Sequence, residues 1–247
     1  SYGAIGARDL SFANGQYVLT GDNGLLLTSA DSVTWTRRAS GTTRALRSAA
    51  YANNTWVVIG NQNFPATILT SADNGVTWTT RSSSLATGIL GQLANDGTTS
   101  LITVGTNGTI LRTTDGLTWS AVVSGVTDQL EGAAFGAGKY IVTGANGRIL
   151  TSADSGVSWT PRETNRNWTS VASSSDGSKL AAVVGGGQII TSTDSGANWT
   201  PRESVRSWRA ITSSADGSTL AAGARPVLDG WVNIAAGGNR RLPAFLR

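Results

Sequence analysis

The sequence predicts an all-β fold made of one repeated antiparallel unit, and three observations predict it. A motif close to Ser-x-Asp-x-Gly-x-x-Trp recurs along the 247-residue chain, with its tryptophans at positions 35, 78, 119, 159 and 199. Between motifs, short runs of β-branched and aromatic residues alternate with turns of glycine and asparagine, which is typical of strands joined by hairpins. No window carries the spacing of an amphipathic helix. A period of about 40 residues indicates a repeat architecture.

The elements of one period follow in order. A first strand, as at residues 44–51, leads to a second rich in β-branched and aromatic residues, as at 17–20. A Gly-x-Asn-Gly turn follows at residues 21–24, because asparagine and glycine tolerate the positive φ of a tight turn. A third strand at 25–28 runs into the motif, and the tryptophan segment forms the fourth. Four short strands in about 40 residues predict one blade of a β-propeller.

The number of blades follows from the periods. Five motif copies predict five blades, and a sixth period opens at Trp208 and then loses the pattern, as terminal repeats often do. We therefore expect six blades in a single domain, the last one degenerate with strands at 231–235 and 242–246. The expected bounds are 4–40, 41–83, 84–124, 125–164, 165–204 and 205–247. A five-bladed ring with an accessory C-terminal segment is the alternative.

Over roughly residues 10–223 the motif resembles the Asp-box, or BNR, repeat of β-propeller proteins. The resemblance implies that the Asp-containing turn joins the third and fourth strands of each blade. The aspartate is expected to accept hydrogen bonds from its own turn. The motif tryptophans, Trp78, Trp159 and Trp199 among them, are expected to be mostly buried between neighbouring sheets.

Composition excludes several kinds of chemistry. The chain has no cysteine and no histidine, which removes disulfides, thiolate metal sites and the commonest general base. It also lacks methionine, even at position 1, so we expect a processed or incomplete product. A low charged fraction of 14% and many Gly, Ser and Thr residues favour a secreted or periplasmic protein. The net charge of +4 is too small, and the basic residues too scattered, to predict binding to nucleic acid.

No enzyme activity or cofactor is expected. Asp-box propellers include sialidases and other glycoside hydrolases, which need a carboxylate pair or a tyrosine nucleophile with a glutamate partner. No such motif is visible among the 15 acidic residues. Each motif offers a single carboxylate, whereas calcium takes six to eight oxygens, so we expect no metal either.

Arginines recur three residues after four of the five motif tryptophans, and a second set follows a few residues later. Both sets fall in the connection from one blade to the next, which in an antiparallel blade lies at the end opposite the motif turn, beside the Gly-x-Asn-Gly turns. The predicted binding residues are Arg38, Arg44, Arg81, Arg162, Arg166, Arg202, Arg206, Asn23, Asn107 and Asn146. Val122 interrupts the first set. Arginine and asparagine donors suit an anionic or polyhydroxylated partner.

Two functions therefore remain open. The favoured one is a non-catalytic binding or scaffolding propeller, which in its repeat and arginine pattern resembles photosystem II assembly factors that hold a protein partner. The alternative is a lectin in which Trp168 and Trp208, one period apart, stack on sugar rings. For these two tryptophans burial between blades is the favoured interpretation. The oligomeric state does not follow from the sequence.

Overall fold

The computed structural model describes residues 6–60, 66–82, 90–163, 166–203, 205–224, 232–235 and 238–239. The chain divides into two compact units, Ser1–Gln129 and Leu130–Arg247, and each is described by itself. No helix among the described residues is long and apolar enough to cross a membrane.

The first unit contains three four-stranded antiparallel sheets, each with its strands in sequence order. Sheet 1 comprises β1 (Ala7–Ala13), β2 (Gln16–Gly21), β3 (Leu26–Ser29) and β4 (Thr36–Arg37). Sheet 2 comprises β5 (Leu46–Ala52), β6 (Thr55–Gly60), β7 (Thr67–Ser71) and β8 (Thr79–Ser82). Sheet 3 comprises β9 (Leu90–Asn95), β10 (Leu101–Gly105), β11 (Ile110–Thr113) and β12 (Ser120–Val122).

The second unit contains one four-stranded and one eight-stranded sheet. Sheet 4 comprises β13 (Leu130–Gly136), β14 (Lys139–Gly144), β15 (Arg148–Ser152) and β16 (Thr160–Glu163). The first half of sheet 5 comprises β17 (Trp168–Ser173), β18 (Leu180–Gly187), β19 (Ile189–Ser192) and β20 (Thr200–Pro201). Its second half comprises β21 (Arg206–Ser213), β22 (Thr219–Ala224), β23 (Val232–Ala235) and β24 (Gly238–Asn239).

The predicted six blades are corrected to five sheets over the residues that the structure describes. In the fifth period the Gly-x-Asn-Gly turn is replaced by Gly185-Gly186-Gly187, and β18 extends through these glycines. The longer strand pairs with β21, Gly185 opposite Ser207 and Gly187 opposite Arg206. The strands of the degenerate last period therefore continue the fifth sheet. The strand expected at 242–246 lies outside the described residues.

The Gly-x-Asn-Gly turns adopt the conformation that their residues predict. In the first turn, a single 3-10 turn at Asp22–Gly24, Asn23 has φ 54° and Gly24 has φ 68°. A side chain at Gly24 would place its Cβ 1.8 Å from the carbonyl oxygen of Thr42. Glycine is therefore required here both for its dihedral angle and for the close approach of the chain that leads to the next sheet.

The apolar core lies between successive sheets. Val18 and Leu26 of sheet 1 pack with Ala49 and Trp56 of sheet 2 in one buried cluster. A second buried cluster joins sheets 2 and 3, and a third joins the two halves of sheet 5. Stacking each repeat on its neighbour thus buries apolar surface that no single sheet could bury alone.

A polar contact accompanies this packing and recurs. The backbone N–H of Ala49 donates to Asp9 Oδ2 at 2.8 Å, linking the first strands of sheets 1 and 2. The N–H of Leu93 donates to Ser48 Oγ at 3.2 Å, linking sheets 2 and 3 in the same way. Asp9 is the acidic member of this series, and burial raises the pKa of its carboxyl.

The three motif tryptophans that were named are largely but not fully buried, which agrees with the expectation, and Trp78 and Trp199 pack against clusters that join successive sheets. Each of the three follows a turn at the edge of its sheet. The largest fully buried side chains are Trp56, Trp168 and Trp208, which lie on second or first strands. Trp56 lies on β6, an inner strand with neighbours on both sides, whereas the motif tryptophans precede the fourth strand, which is the edge of its sheet.

Candidate functional site

The motif turn joins the third and fourth strands and is closed by its own aspartate. Asp73 accepts hydrogen bonds from the Ser71 hydroxyl at 2.7 Å, the N–H of Val76 at 3.1 Å and the N–H of Thr77 at 2.8 Å. Trp78 donates its indole N–H to the carbonyl of Gly75 at 3.0 Å. The carboxylate is therefore engaged in holding the turn, as in an Asx-type turn.

The same hydrogen bonds lower the pKa values of these aspartates. The N–H groups of Thr34 and Val33, together with the Ser29 hydroxyl, lower the pKa of Asp31 to about 2. The Thr77 hydroxyl and N–H hold the pKa of Asp73 well below its ordinary value. Each bond favours the charged acceptor, so the turn is held by an ionised carboxylate at neutral pH. Among the described residues no three acidic side chains come together in a metal-binding group.

The first set of predicted arginines is held by a repeated contact. Each Nε donates to a threonine hydroxyl on the third strand of the same sheet. The pairs are Arg38 to Thr28 at 2.8 Å, Arg81 to Thr70 at 3.1 Å and Arg202 to Thr191 at 2.9 Å. The Nε of each guanidinium is thus hydrogen-bonded to the sheet, and this bond fixes the direction of the guanidinium group. Arg81 and Arg202 are exposed, and Arg38 is half-buried.

The backbone of these arginines lies at the end of the fourth strand away from the motif turn. The N–H of Arg38 donates to the carbonyl of Leu26, the first residue of β3, at 2.9 Å. Arg81 is paired with Ile68 near the start of β7. From there each side chain runs back along the sheet towards a threonine two residues further along the third strand. Arg162 is paired in the same way with Ile149.

The connection after the fourth strand contacts the 3-10 turn of the same sheet. In sheet 1 the N–H of Gly24 donates to the carbonyl of Arg44 at 2.8 Å, and the Ser40 hydroxyl donates to the carbonyl of Gly24 at 2.8 Å. Asn23 projects from this turn and is exposed. Asn23, Arg38 and Arg44 therefore belong to one end of sheet 1. We call the end of a sheet at which its second strand turns into its third, and from which the connection after the fourth strand leaves, its arginine end.

Sheet 3 has the same geometry with different charges. The N–H of Gly108 donates to the carbonyl of Asp128 at 2.8 Å, so Asp128 occupies the place that Arg44 has in sheet 1. Asn107 has φ 55° in the equivalent turn and is exposed. The second arginine set is therefore interrupted in this sheet as well as the first.

The structure adds Arg112 to the arginines predicted from the sequence. Val122 pairs with Ile110, which places Arg112 where Thr70 stands in sheet 2. Val122 thus stands at the position of Arg81 in sheet 2, and Arg112 stands at the position of Thr70. A cationic side chain is thus retained in this pair in sheet 3. The sequence carries a sign of this, because both members of the arginine–threonine pair are replaced in this period, the arginine by Val122 and the threonine by Arg112.

In the second unit the predicted residues are spread over both sheets. Asn146 is exposed, and its N–H donates to Asn167 Oδ1 at 3.0 Å. Arg166, the neighbour of Asn167 in the chain, is half-buried. The side chain of Arg162 lies outside the part of the chain that the structure describes. Arg206 opens β21, with its guanidinium carbon 5.9 Å from the centre of the Trp208 ring. This distance fits a cation–π contact.

The two tryptophans of the lectin alternative are enclosed. Trp168 and Trp208 are each 1% exposed. The Trp168 ring lies 5.5 Å from that of Trp199, and Trp208 belongs to the cluster between the two halves of sheet 5. Neither ring offers a free face on which a sugar could stack.

No model of a known protein family matches the chain, and no curated protein matches it in sequence. Solved structures do match. One is described as YCF48 bound to D1 peptide, with 20% identity and a TM-score of 0.71 over 95% of this chain and 79% of that one. Another is YCF48 from Cyanidioschyzon merolae, with 18% identity and a TM-score of 0.57 over 88% of this chain and 92% of that one. A nidogen/laminin complex matches with 14% identity and a TM-score of 0.67, over 89% of each chain.

At these identities the likeness shows the fold alone. The fold is an all-β propeller with four-stranded antiparallel blades, so the predicted fold class is confirmed at this level. Two of the matched structures hold a protein partner, a D1 peptide in one and laminin in the other.

Proposed function

We propose that this chain is a non-catalytic propeller that binds an acidic segment of a protein partner at the arginine ends of its sheets. The observation that carries the proposal is the repeated arginine–threonine pair. Arg38, Arg81 and Arg202 are each fixed by one Nε bond of 2.8 to 3.1 Å. A guanidinium fixed through Nε keeps its two terminal nitrogens directed along one line. This is the geometry in which arginine binds a carboxylate with two parallel hydrogen bonds.

The cost of binding also favours this surface. A long arginine side chain ordinarily loses rotamer freedom when it is immobilised at an interface, at about 0.5–1.5 kcal/mol per side chain. Because the threonine has already ordered part of the side chain, less of that cost remains for the partner to offset. The exposed asparagines Asn23, Asn107 and Asn146 add amide donors and acceptors in the neighbouring turns.

The pattern of charges favours specific contacts with acidic groups of the partner over long-range electrostatic attraction. The net charge of +4 over 247 residues gives little long-range attraction. The arginine ends are moreover not uniformly basic, because Asp128 replaces one arginine in sheet 3. Recognition therefore depends on where the acidic groups of the partner lie.

Three further proposals concern the repeat type, the location of the protein and its domain organisation. The hydrogen bonds within the motif turns support assigning the repeat to the Asp-box, or BNR, type. The low charged fraction supports a secreted or periplasmic location, which fractionation of cells expressing the natural gene would test. The continuous repeat supports one domain over residues 1–247, which a single cooperative unfolding transition would test.

The binding experiment uses a displayed library of random short peptides selected against the purified protein. We expect acid-rich peptides to be enriched, and we expect the affinity of a selected peptide to fall with added salt, since exposed charges are screened over about 8 Å at physiological ionic strength. Arg81→Ala and Arg202→Ala should each weaken that affinity by about tenfold, which corresponds to one charge-assisted contact.

Two control variants remove the same charge elsewhere. Arg37 is exposed and lies next to Arg38 on the chain, and Lys139 is exposed on the β13–β14 hairpin, at the opposite end of its sheet from the arginine end. Arg37→Ala and Lys139→Ala should leave the affinity unchanged within a factor of about two. Equal losses in the controls, or a library that yields no acid-rich peptide, would contradict the proposal.

A further inference from the structure

The chain contains five Asn-Gly pairs, at residues 14–15, 23–24, 74–75, 107–108 and 146–147. All five asparagines have the same left-handed backbone, with φ between 48° and 56°. At such a pair the glycine nitrogen can attack the asparagine Cγ, so that ammonia leaves and a succinimide ring remains. Glycine favours this attack because it has no side chain in the way. Since the asparagine conformation is shared, the surroundings of the glycine nitrogen decide which pair reacts.

In three of the pairs the glycine N–H is held by a hydrogen bond of 2.8 Å. The bonds run from Gly24 to the carbonyl of Arg44, from Gly108 to the carbonyl of Asp128, and from Gly75 to the Ser71 hydroxyl. A donating N–H can neither lose its proton nor turn towards the asparagine side chain until that bond opens. Local opening costs free energy, so these pairs are protected.

The glycine of the first pair is not held in this way. Gly15 is exposed at the tip of the β1–β2 hairpin, and within the described part of the chain its N–H donates to no group. Asn14 and Gly15 have φ 48° and 68°, as in a two-residue type I′ turn, in which the flanking residues pair and the second turn residue does not. Gly138 has the same place in the β13–β14 hairpin, and over the described residues its N–H also has no acceptor. The unheld N–H is therefore a property of the turn type.

The Asn14 side chain joins the hairpin to the motif turn of sheet 2. The Trp56 indole N–H, which can only donate, bonds to Asn74 Oδ1 at 3.1 Å. The same oxygen accepts a bond from Asn14 Nδ2 at 3.3 Å, and Asn74 Nδ2 donates to the Asn14 carbonyl at 3.3 Å. Because the indole fixes which atom of Asn74 is the acceptor, the side chain at position 14 must supply a donor. A carboxylate at this position has no donor to supply.

We propose that Asn14 is a site of spontaneous chemical modification, and that its conversion to aspartate or isoaspartate loosens the contact between the β1–β2 hairpin and the motif turn of sheet 2. The Gly15 nitrogen bonds to Asn14 Cγ, and its proton leaves with the side-chain amide as ammonia. Water then opens the succinimide at one of its two carbonyl carbons. Both products carry an ionised carboxylate in place of the donating amide, and isoaspartate also lengthens the backbone of the turn by one methylene.

The first measurement follows the modification in the intact, purified chain. The protein is kept in mildly alkaline buffer, digested under acidic conditions at intervals and analysed by mass spectrometry, and isoaspartate is detected by labelling with an isoaspartyl methyltransferase. Asn14 should be converted about tenfold faster than Asn23, Asn74 or Asn107, because those three pairs must first open a hydrogen bond. Equal rates at the four positions would overturn the proposal.

Two variants separate the reaction from its consequence. Gly15→Asn copies the Asn53-Asn54 turn of the β5–β6 hairpin, whose residues have φ 51° and 55°. It should retain the fold and slow the conversion of Asn14 several-fold, because a β-carbon then hinders the attack. Asn14→Asp reproduces the aspartate product and should lower the melting temperature by about 2–4 °C, the shift expected when a chain of this size loses one hydrogen bond.

The matched control places the same charge where no such bond is lost. Asn54 is exposed at the tip of the β5–β6 hairpin, and Asn54→Asp should melt as the wild type does. Wild-type melting of Asn14→Asp, or an equal loss in Asn54→Asp, would contradict the proposed consequence. The β1–β2 hairpin lies at the opposite end of sheet 1 from its arginine end, so none of these outcomes bears on peptide binding there.

Discussion

Replacing Trp56 by alanine is the most direct probe of how the sheets are held together. The Trp56 side chain is fully buried in the cluster that joins sheets 1 and 2. Its ring centre lies 5.4 Å from that of Tyr51, and its indole N–H donates to Asn74 Oδ1 at 3.1 Å. The substitution therefore removes packing, an aromatic contact and a hydrogen bond together.

The expected loss in unfolding free energy can be built from these parts. Deleting a large core aromatic costs about 3–5 kcal/mol, because the cavity only partly collapses. The lost hydrogen bond adds about 1 kcal/mol, and the half-buried Asn74 regains some of it from water. We expect about 4–5 kcal/mol in total. Trp56→Phe, which keeps a ring but no N–H donor, should cost less than half of this.

Trp78 supplies the internal comparison, since it belongs to the same cluster but is half-buried. Trp78→Ala should cost less than Trp56→Ala, because part of the Trp78 side chain remains in contact with water in the folded protein. The assay is urea unfolding followed by far-UV circular dichroism, with the slope checked for equality between variants. A larger loss for Trp78→Ala than for Trp56→Ala would refute the view that Trp56 contributes more to the packing between sheets 1 and 2 than the motif tryptophan does.

Three further predictions concern acidic residues. Burial raises the pKa of the Asp9 carboxyl in the folded protein above its unfolded value of 3.8. The buried charge therefore destabilises the fold at any pH above the folded pKa, and this cost disappears below pH 3.8, where the carboxyl is protonated in both states. Asp9→Ser should therefore stabilise the protein at pH 7 and lose this advantage at pH 3, as urea unfolding at each pH would reveal. The Asp31 carboxyl affects stability in the opposite direction, because its pKa is lowered to about 2 in the folded protein. Its stabilising contribution is present above pH 3.8 and is lost as the pH falls through 2. Asp31→Asn should flatten the acid unfolding curve in that window; an unchanged curve would contradict the turn assignment. EDTA should leave the melting temperature unchanged, because the motif carboxylates are engaged within the protein; a drop reversed by calcium would show a metal.

Local features of the fold were predictable because they depend on neighbouring residues. The strand order within a period and the turn at Asn23 follow from short-range patterns, and the structure has both. The number of sheets was not predictable in this way. It depends on whether β18 pairs with β21, which is decided by Gly185 and Gly187 and by a partner some twenty residues away.

The candidate site was predicted in outline but not in its contacts. The arginine positions were visible, yet the partner hydroxyls were not, because Thr28 and Arg38 meet only after β3 and β4 pair. In the sequence alone, Val122 simply interrupts the series of arginines. Only the register shows that Arg112 occupies the other place of the same pair.

The central claim is that a protein partner binds at the arginine ends, and hydrogen–deuterium exchange with a selected acidic peptide tests it most directly. The account predicts slower exchange on peptide binding in the 3-10 turn at Asp22–Gly24 and in the connection at residues 38–44. Exchange in the motif turn at residues 71–78 should not change, because it lies at the other end of its sheet. Protection confined to the motif turns, with none at residues 22–24 or 38–44, would contradict the account.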